Sequence, residues 1–358
     1  MNRFKNIFKI ADMKKDNIGK INIKTIADVA GVSTGTVSRV LNKTPGVKEK
    51  NRIKVEKVIS DLKYEVDGIA RSLRSKKTKL IGVVIGDILT KFYSKIVKAI
   101  ENSARKYNYQ VVLLLSDDIP ERELKCLKIL RIIKVDGIII SPTSNNASYI
   151  NYCLENDAKI VLLDRLIEGV NCDAILVENQ NSAYKIVKSI IDQGYKKIGI
   201  VTGPLIWTSA RERLNGYLRA LDEAGIERND NIIKSGPYNI ESGIKLSREI
   251  FSGNIELEAI FTTNLDMLIG TIKTIRSLGL KVPDDIGLIS FDDSEIAEIF
   301  IQPITTIRQP VQYLGATAVN RLIERIEDKG ESKNTPLVIT LKPELIIRNS
   351  TKELIACN

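Results

Sequence analysis

The spacing of apolar side chains changes near residue 80 of the 358-residue chain. Upstream, residues 22–63 repeat apolar positions at helical spacing and predict short helices. The third of these, about 49–63, places Ile53, Val55, Val58, Ile59 and Leu62 on one apolar face. Residues 68–79, GIARSLRSKKTK, read as a short helix running into a basic linker, and residues 1–20 show no clear period. From Leu80 onward, short apolar runs alternate with amphipathic helical stretches. The runs predict strands at 80–86, 110–116, 136–141, 159–164 and 173–177, then at 197–202, 259–263 and 286–291. Strands that alternate with helices argue for an α/β fold with parallel sheets and crossover helices. About 270 residues of such alternation exceed what one sheet usually holds, so two lobes are expected. Neither lobe closely repeats the other in sequence.

Composition narrows the class. Apolar residues make up 43% of the chain, enough to build cores and too many for a disordered polymer. The longest apolar runs, such as Ile138–Ile140 and Val111–Leu115, are strand-length and fall short of the roughly 18 residues a membrane helix needs. The first fifteen residues lack the continuous apolar centre of a secretory signal, and Met13 offers an alternative start. A cytoplasmic protein without a membrane partner is expected. The absence of histidine excludes His-based catalytic triads and His metal sites. Cys126, Cys153, Cys172 and Cys357 show neither close pairing nor zinc-ligand spacing, so four reduced thiols and no metal or cofactor are expected.

Charge is concentrated. The net charge is +10, yet residues 1–79 hold 20 basic and 8 acidic side chains, against 34 and 36 in the remainder. A polyanion binder has this electrostatic footprint, although a solvated basic face would have it too.

The stretch from 21 to 64, INIKTIADVAGVSTGTVSRVLNKTPGVKEKNRIKVEKVISDLKY, supplies the chemistry. Asn22 is placed to cap a helix beginning at Ile23. Ala27, Gly31 and Val37 have helix-turn-helix spacing: a small residue for close approach, a glycine for the positive φ of a tight turn, and an apolar residue packing back from the second helix. Ser33 caps that second helix, with Thr34, Gly35, Thr36, Ser38 and Arg39 on or near its exposed side. Small polar side chains there let a helix end enter the major groove. Arg39 suits either a bidentate contact to guanine or a phosphate. The same residues contain a false lead. Gly31-Val32-Ser33-Thr34-Gly35 fits the G-x-S-x-G nucleophile elbow, but an elbow follows a strand and this one follows a helix. No Gly-rich phosphate loop is present.

The sequence resembles the LacI-type family of bacterial transcription regulators. AGVSTGTVSRVLN at 30–42 carries the likeness, followed by Tyr64, IARSLR at 69–74 and VDGIIISP at 135–142. It continues with LLDR at 162–165, SARERLNGY at 209–217, FDD at 291–293 and TTIRQP at 305–310. The resemblance spans roughly residues 21–350. It implies a DNA-binding domain at 21–66, with Ser33, Thr34, Gly35, Thr36, Ser38, Arg39 and Asn42 at the DNA, and a hinge helix and linker at 67–79. An N-terminal extension (1–20) and a tail (351–358) flank these and a two-lobed core like the periplasmic sugar-binding proteins at 80–350. Lobe 1 would hold 80–178 and 311–335, lobe 2 179–310 and 336–350. The family's minor-groove leucine corresponds to Leu73, with Ala70 on the preceding turn; an apolar wedge there would bend the duplex, and packing against the core is the alternative. Two departures stand out: Val66-Asp67 replace a usual Pro-Asn pair, and Thr25 replaces an Asp.

Ligands of open α/β sheets bind at the carboxyl ends of the strands. By the resemblance, Asp87, Arg165, Arg211, Asn264 and Asp292 match effector-pocket positions, and Phe92, Tyr93 and Tyr238 match aromatic ones. Carboxylates and arginine forks suit sugar hydroxyls, and rings stack on sugar faces. Arg211 and Asp292 are the foremost of these. Arg213 is read as stabilising the fold, Asp164 and Asp293 as caps or internal ion-pair partners, and Trp207 as either a cleft residue or a surface cover. Leu265 stands where an acidic residue is common, without Asp266 being taken to replace it.

The expectation is a homodimeric repressor. It would bind a pseudo-palindromic operator and be switched by a small molecule, a sugar or sugar phosphate first and a nucleobase second. No segment assigns a co-regulator protein. A binding protein of periplasmic type would share the core but not need residues 21–79. An α/β sugar-processing enzyme would need acid–base groups and a phosphate or nucleotide loop.

Overall fold

The computed structural model describes residues 22–42, 44–62, 64, 77–143, 146–253, 256–328 and 335–352. Ala70, Leu73, the Val66-Asp67 departure, the extension at 1–20, Met13 and Cys357 lie outside them. The chain divides into two compact units, with the division after Thr78.

The first unit contains three helices: α1 (Ile23–Ala30), α2 (Thr34–Leu41) and α3 (Glu49–Asp61). Asn22 begins α1 through a capping box: its Oδ1 accepts from Thr25 N at 3.0 Å, and the Thr25 hydroxyl faces back to Asn22 N. Gly31 ends α1 at φ 64°, ψ 41°, a left-handed conformation that an L side chain resists. Ser33 Oγ then accepts from Thr36 N at 3.2 Å and starts α2. The three helices bury Ile26, Ala27, Ala30, Val37, Val40 and Val55. Val58 and Ile59 pack at its edge, whereas Ile53 is 57% exposed and does not share the face expected of it. Three and four residues separate Val55 from Val58 and Ile59, so these meet one side of the helix; Ile53, two residues before Val55, is turned away.

The second unit carries two six-stranded sheets. The lobe 1 sheet contains β1 (Leu80–Ile85), β2 (Gln110–Leu115), β3 (Gly137–Ile140), β4 (Ile160–Leu163), β5 (Asp173–Val177) and β11 (Val338–Leu341), ordered β11-β5-β4-β3-β1-β2 and parallel throughout. The lobe 2 sheet contains β6 (Ile198–Thr202), β7 (Ile233–Ser235), β8 (Ala259–Thr262), β9 (Gly287–Phe291), β10 (Thr305–Arg308) and β12 (Glu344–Ile346), ordered β12-β10-β9-β8-β6-β7. Only β12 there runs antiparallel to its neighbour. Central strands such as Ile138–Ile140 are buried on both faces, which is why they read as unbroken apolar runs.

The helices bearing on the cleft are α4 (Lys91–Lys106), α7 (Asn179–Ile191), α8 (Thr208–Glu223), α10 (Leu265–Ser277), α11 (Glu295–Ile299) and α12 (Val311–Glu327). In chain order, α5 (Pro120–Ile132) and α6 (Ala147–Glu155) complete lobe 1, and α9 (Ile240–Phe251) completes lobe 2. The chain passes between lobes three times: after β5, after β10 and between β11 and β12. This corrects the lobe limits read from sequence. Residues 338–341 pair with β5 in lobe 1, and only the chain from β12 onward joins lobe 2. Asp173, 2% exposed, fixes that arrangement. Its carboxylate accepts from Arg321, Arg325 and the backbone of Leu337, joining β5, α12 and the approach to β11. Despite burial, the Arg325 and Arg321 guanidiniums hold this carboxyl below the usual carboxylate range.

Candidate functional site

On the first unit, α2 turns Val37 and Val40 inward and leaves its start outward. Ser33, Thr34, Gly35, Arg39 and Asn42 are exposed, and Thr36 and Ser38 are half-buried. Their hydroxyls are not equivalent. Ser33 Oγ is the cap and lies 3.0 Å from Thr36 Oγ1, and Asn42 Nδ2 donates to Ser38 Oγ at 3.4 Å. Capping therefore shapes the helix start, while Thr34 and Arg39 present side chains outward. A helix end of small polar groups followed by one guanidinium can enter a major groove without steric obstruction.

In the second unit, the strand ends of the two sheets face each other. Asp164 follows β4 at φ 67° and Asp292 follows β9 at φ 83°. Each backbone N–H is taken by the neighbouring strand, Asp164 by the Ile175 carbonyl at 3.0 Å and Asp292 by the Ile307 carbonyl at 3.1 Å. The two lobes thus place an aspartate at equivalent corners, in a backbone conformation tolerated better by Asp than by most residues. Burial pushes both carboxyls above the usual carboxylate range; Arg165 and Arg213 oppose the shift at Asp164, and Arg213 and Gln309 oppose it at Asp292.

Arg165, 4% exposed, crosses between the lobes. Its Nη1 donates to Asp118 Oδ1 at 2.6 Å, and its guanidinium lies 3.6 Å from the Trp207 ring centroid. Trp207 is 7% exposed and leans on Tyr238, with ring centroids 5.8 Å apart. The ring of Tyr238 covers Gly203, where a Cβ would come within 2.1 Å of it, so no side chain fits at 203. Tyr93, on the lobe 1 side, bonds Ser141 Oγ at 2.8 Å and is kept protonated by burial. Leu166 N donates to Thr208 Oγ1 at 3.0 Å, and Glu295 pairs with Lys91 and Lys95; both contacts span the lobes.

A cavity of about 540 Å³ opens beside these contacts. Phe92, Asn264 and Asp292 line it, together with Asp266 and Gln309, which sequence reasoning did not assign. Gln309 Nε2 donates to Asp292 Oδ1, and Asn264 Oδ1 caps α10 by accepting from Met267 N at 2.9 Å. Tyr93, Arg165 and Tyr238 join Trp207 at the meeting of the lobes rather than in the cavity wall. Asp87 is half-buried and accepts from Leu89 N at 2.8 Å.

Arg211 differs from the reading. It is exposed, its Nη1 donates to the Leu205 carbonyl at 3.4 Å, and it does not line the cavity. Two positions along α8 turn the side chain through roughly 200°, so Arg213 points inward where Arg211 points out. Arg213, 4% exposed, donates to the Thr263 carbonyl at 2.6 Å and Asn179 Oδ1 at 2.9 Å and stacks 3.9 Å from the Phe291 ring centroid. It ties the fold and also sits close enough to Asp292 to affect its ionisation. Asp293 belongs to an internal network with Thr306, Arg308 and Arg348. Asp118 went unnoticed, although it follows β2 at a strand end like the other site residues. Among the described residues, no group of three or more His, Cys, Asp or Glu side chains could hold a metal ion, and no helix is long and apolar enough to cross a membrane.

Comparison with known proteins extends over both units. The family of bacterial regulatory proteins called lacI matches residues 22–67, and a periplasmic binding protein-like domain matches residues 187–351. The HTH-type transcriptional repressor PurR of Photobacterium profundum is 33% identical over 333 residues, 93% of this chain and 99% of that protein. The repressor of the same name from Pasteurella multocida is 33% identical over 92% of this chain and 98% of its own. Among solved structures, a lac repressor dimer bound to operator and the anti-inducer ONPF has a TM-score of 0.82 at 27% identity, covering 93% of this chain and 99% of that one. With the likeness running through the headpiece and the core alike, the chain belongs to the lacI family of bacterial regulatory proteins, DNA-binding transcription regulators that respond to small molecules.

Proposed function

We propose that two copies of this chain read the two halves of a pseudo-palindromic operator and repress transcription from it. The exposed start of α2, standing on a buried Val37 in the segment that holds the chain's positive excess, is the observation that carries this reading. A twofold protein matches a twofold site, and the similar lac repressor dimer bound to operator supports the same arrangement here. Thr34 and Arg39 contact bases or flanking phosphates, with Ser33, Gly35, Thr36, Ser38 and Asn42 shaping the approach. Leu73, with Ala70 beside it, serves as the minor-groove wedge.

A small polar molecule, a sugar in the first instance, binds between the lobes near Asp292, Asn264 and Phe92. It shifts the angle of the lobes by its differential affinity for the two arrangements, and operator affinity follows. The protein acts by binding rather than by catalysis, in the cytoplasm.

Replacing Arg39 tests the base-reading role. Arg39→Ala weakens binding to the selected operator by roughly 1–3 kcal/mol while binding to random duplex falls much less. Quantitative gel-shift titration of both DNAs measures the difference. An equal loss on the two would reassign Arg39 to a phosphate.

A further inference from the structure

The cavity between the lobes is unevenly supplied with charge. Its lining holds four cations and six carboxylates. Lys91 and Lys95 are already tied to Glu295, Arg308 to Asp293 and Glu344, and Lys342 is exposed at the rim. Arg165 and Arg213, the two buried guanidiniums nearby, are also committed: Arg165 to Asp118 and the Trp207 ring, Arg213 to Asn179, Thr263 and the Phe291 ring. The wall therefore offers no free arginine fork for a phosphate or carboxylate.

Its unmet capacity is of the opposite kind. Gln309 is 7% exposed and lines the cavity, and its Oε1 has no hydrogen-bond partner; the bond from its Nε2 to Asp292 fixes which way the amide faces. Asp164, 6% exposed, likewise leaves Oδ1 unpartnered at the strand end across from Asp292. Both atoms are acceptors, and buried acceptors demand donors. The unmatched donor nearby, Arg165 Nε, lies 3.6 Å from the other Asp164 oxygen. Asp266, in the cavity wall, is surrounded by like charge: burial and then the carboxylates of Asp292, Asp87 and Glu241 push its carboxyl above the usual range.

We propose that the cleft is charge-selective: it takes a hydroxylated ring that donates hydrogen bonds, neutral or amine-bearing, and turns away the phosphate and carboxylate derivatives of the same ring. The proposal rests on the effector-site reading above and decides between the sugar and the sugar phosphate that the sequence left side by side. A ring hydroxyl or an ammonium supplies Gln309 Oε1, in the cavity wall, with its missing donor. An added phosphate meets Asp266 and Asp292 in the wall, where the one cation not already paired among the described residues is Lys342, exposed at the rim.

The experiment uses the full chain and calorimetric titration with matched sets of glucose, galactose and ribose: the parent sugar, its amino sugar and its phosphate ester. Operator binding is measured on the same preparation. The expected result is that a parent or amino sugar binds and its phosphate binds at least about tenfold more weakly. Asp266→Asn then narrows that gap by relieving repulsion of the phosphate. A phosphate that binds as tightly as its parent overturns the proposal, as does a gap that Asp266→Asn leaves unchanged. If no member of any set binds while operator binding is intact, the ligand class is refuted and the regulator reading stands. Loss of specific DNA binding by the unmodified chain would refute the regulator reading instead.

Discussion

Val37→Asp is expected to abolish specific DNA binding and leave the effector core folded. Val37 is fully buried among Ile26, Ala27, Ala30, Val40 and Val55, which with it form the buried apolar core of the headpiece among the described residues. Val37 is 0% exposed within that apolar core, so a carboxylate placed there is desolvated, at a penalty of several kcal/mol. A core of so few side chains supplies only about 3–5 kcal/mol of net stability, and one buried charge exhausts it. Operator affinity should therefore fall by more than about 100-fold, the equivalent of roughly 3 kcal/mol. The core is a separate compact unit with its own two sheets, and it contains the single tryptophan, Trp207. Gel-shift titration reads the headpiece, and thermal unfolding followed by tryptophan fluorescence reads the core. Operator binding within tenfold of the parent chain, or a collapsed core transition, would contradict the division of labour.

Arg213→Ala should lower the stability of the core by about 3 kcal/mol, within the range measured when one member of a buried charged network is removed. The substitution strips the Thr263 carbonyl and the Asn179 amide oxygen of a charged donor and removes the stack on Phe291. It also removes the main positive charge opposing the burial shift at Asp292, so the Asp292 carboxyl moves further up. Arg211→Ala, two residues away and exposed, should change stability by less than about 0.5 kcal/mol. Paired urea denaturation curves separate the two. Equal effects would mean that the inward and outward faces of α8 have been assigned the wrong way round.

The arginine pair shows how far sequence reasoning reached. SARERLNGY marks a site-bearing helix, but which of Arg211 and Arg213 turns inward depends on how α8 lies against α7 and β8. That packing is not written in the local pattern. The headpiece was more legible because its determinants are local: Asn22, Gly31 and Ser33 each act on backbone within a few residues of themselves. Ile53 failed there because the apolar face of α3 was drawn two residues too wide. Strands β1 to β6, β8 and β9 were read within one residue at each end. Strands at 233–235, 305–308, 338–341 and 344–346 went unseen. Strands β3, β4 and β8 are as short but are buried along their whole length, whereas Lys234, Thr305, Thr306, Thr340 and Glu344 break the apolar run in these four. Missing β11 is what misplaced the lobe boundary. At the cleft, Phe92, Asn264 and Asp292, assigned through the family resemblance, line the cavity, but the contact of Arg165 with Trp207 joins two lobes and has no sequence signature.

Selection of duplexes from a random-sequence pool by the purified full-length chain tests the central claim most directly. The expected result is enrichment of one sequence built from two inverted half-sites, bound by two copies of the chain. Recovery of no preferred sequence, or of a single asymmetric site bound by one copy, would contradict it.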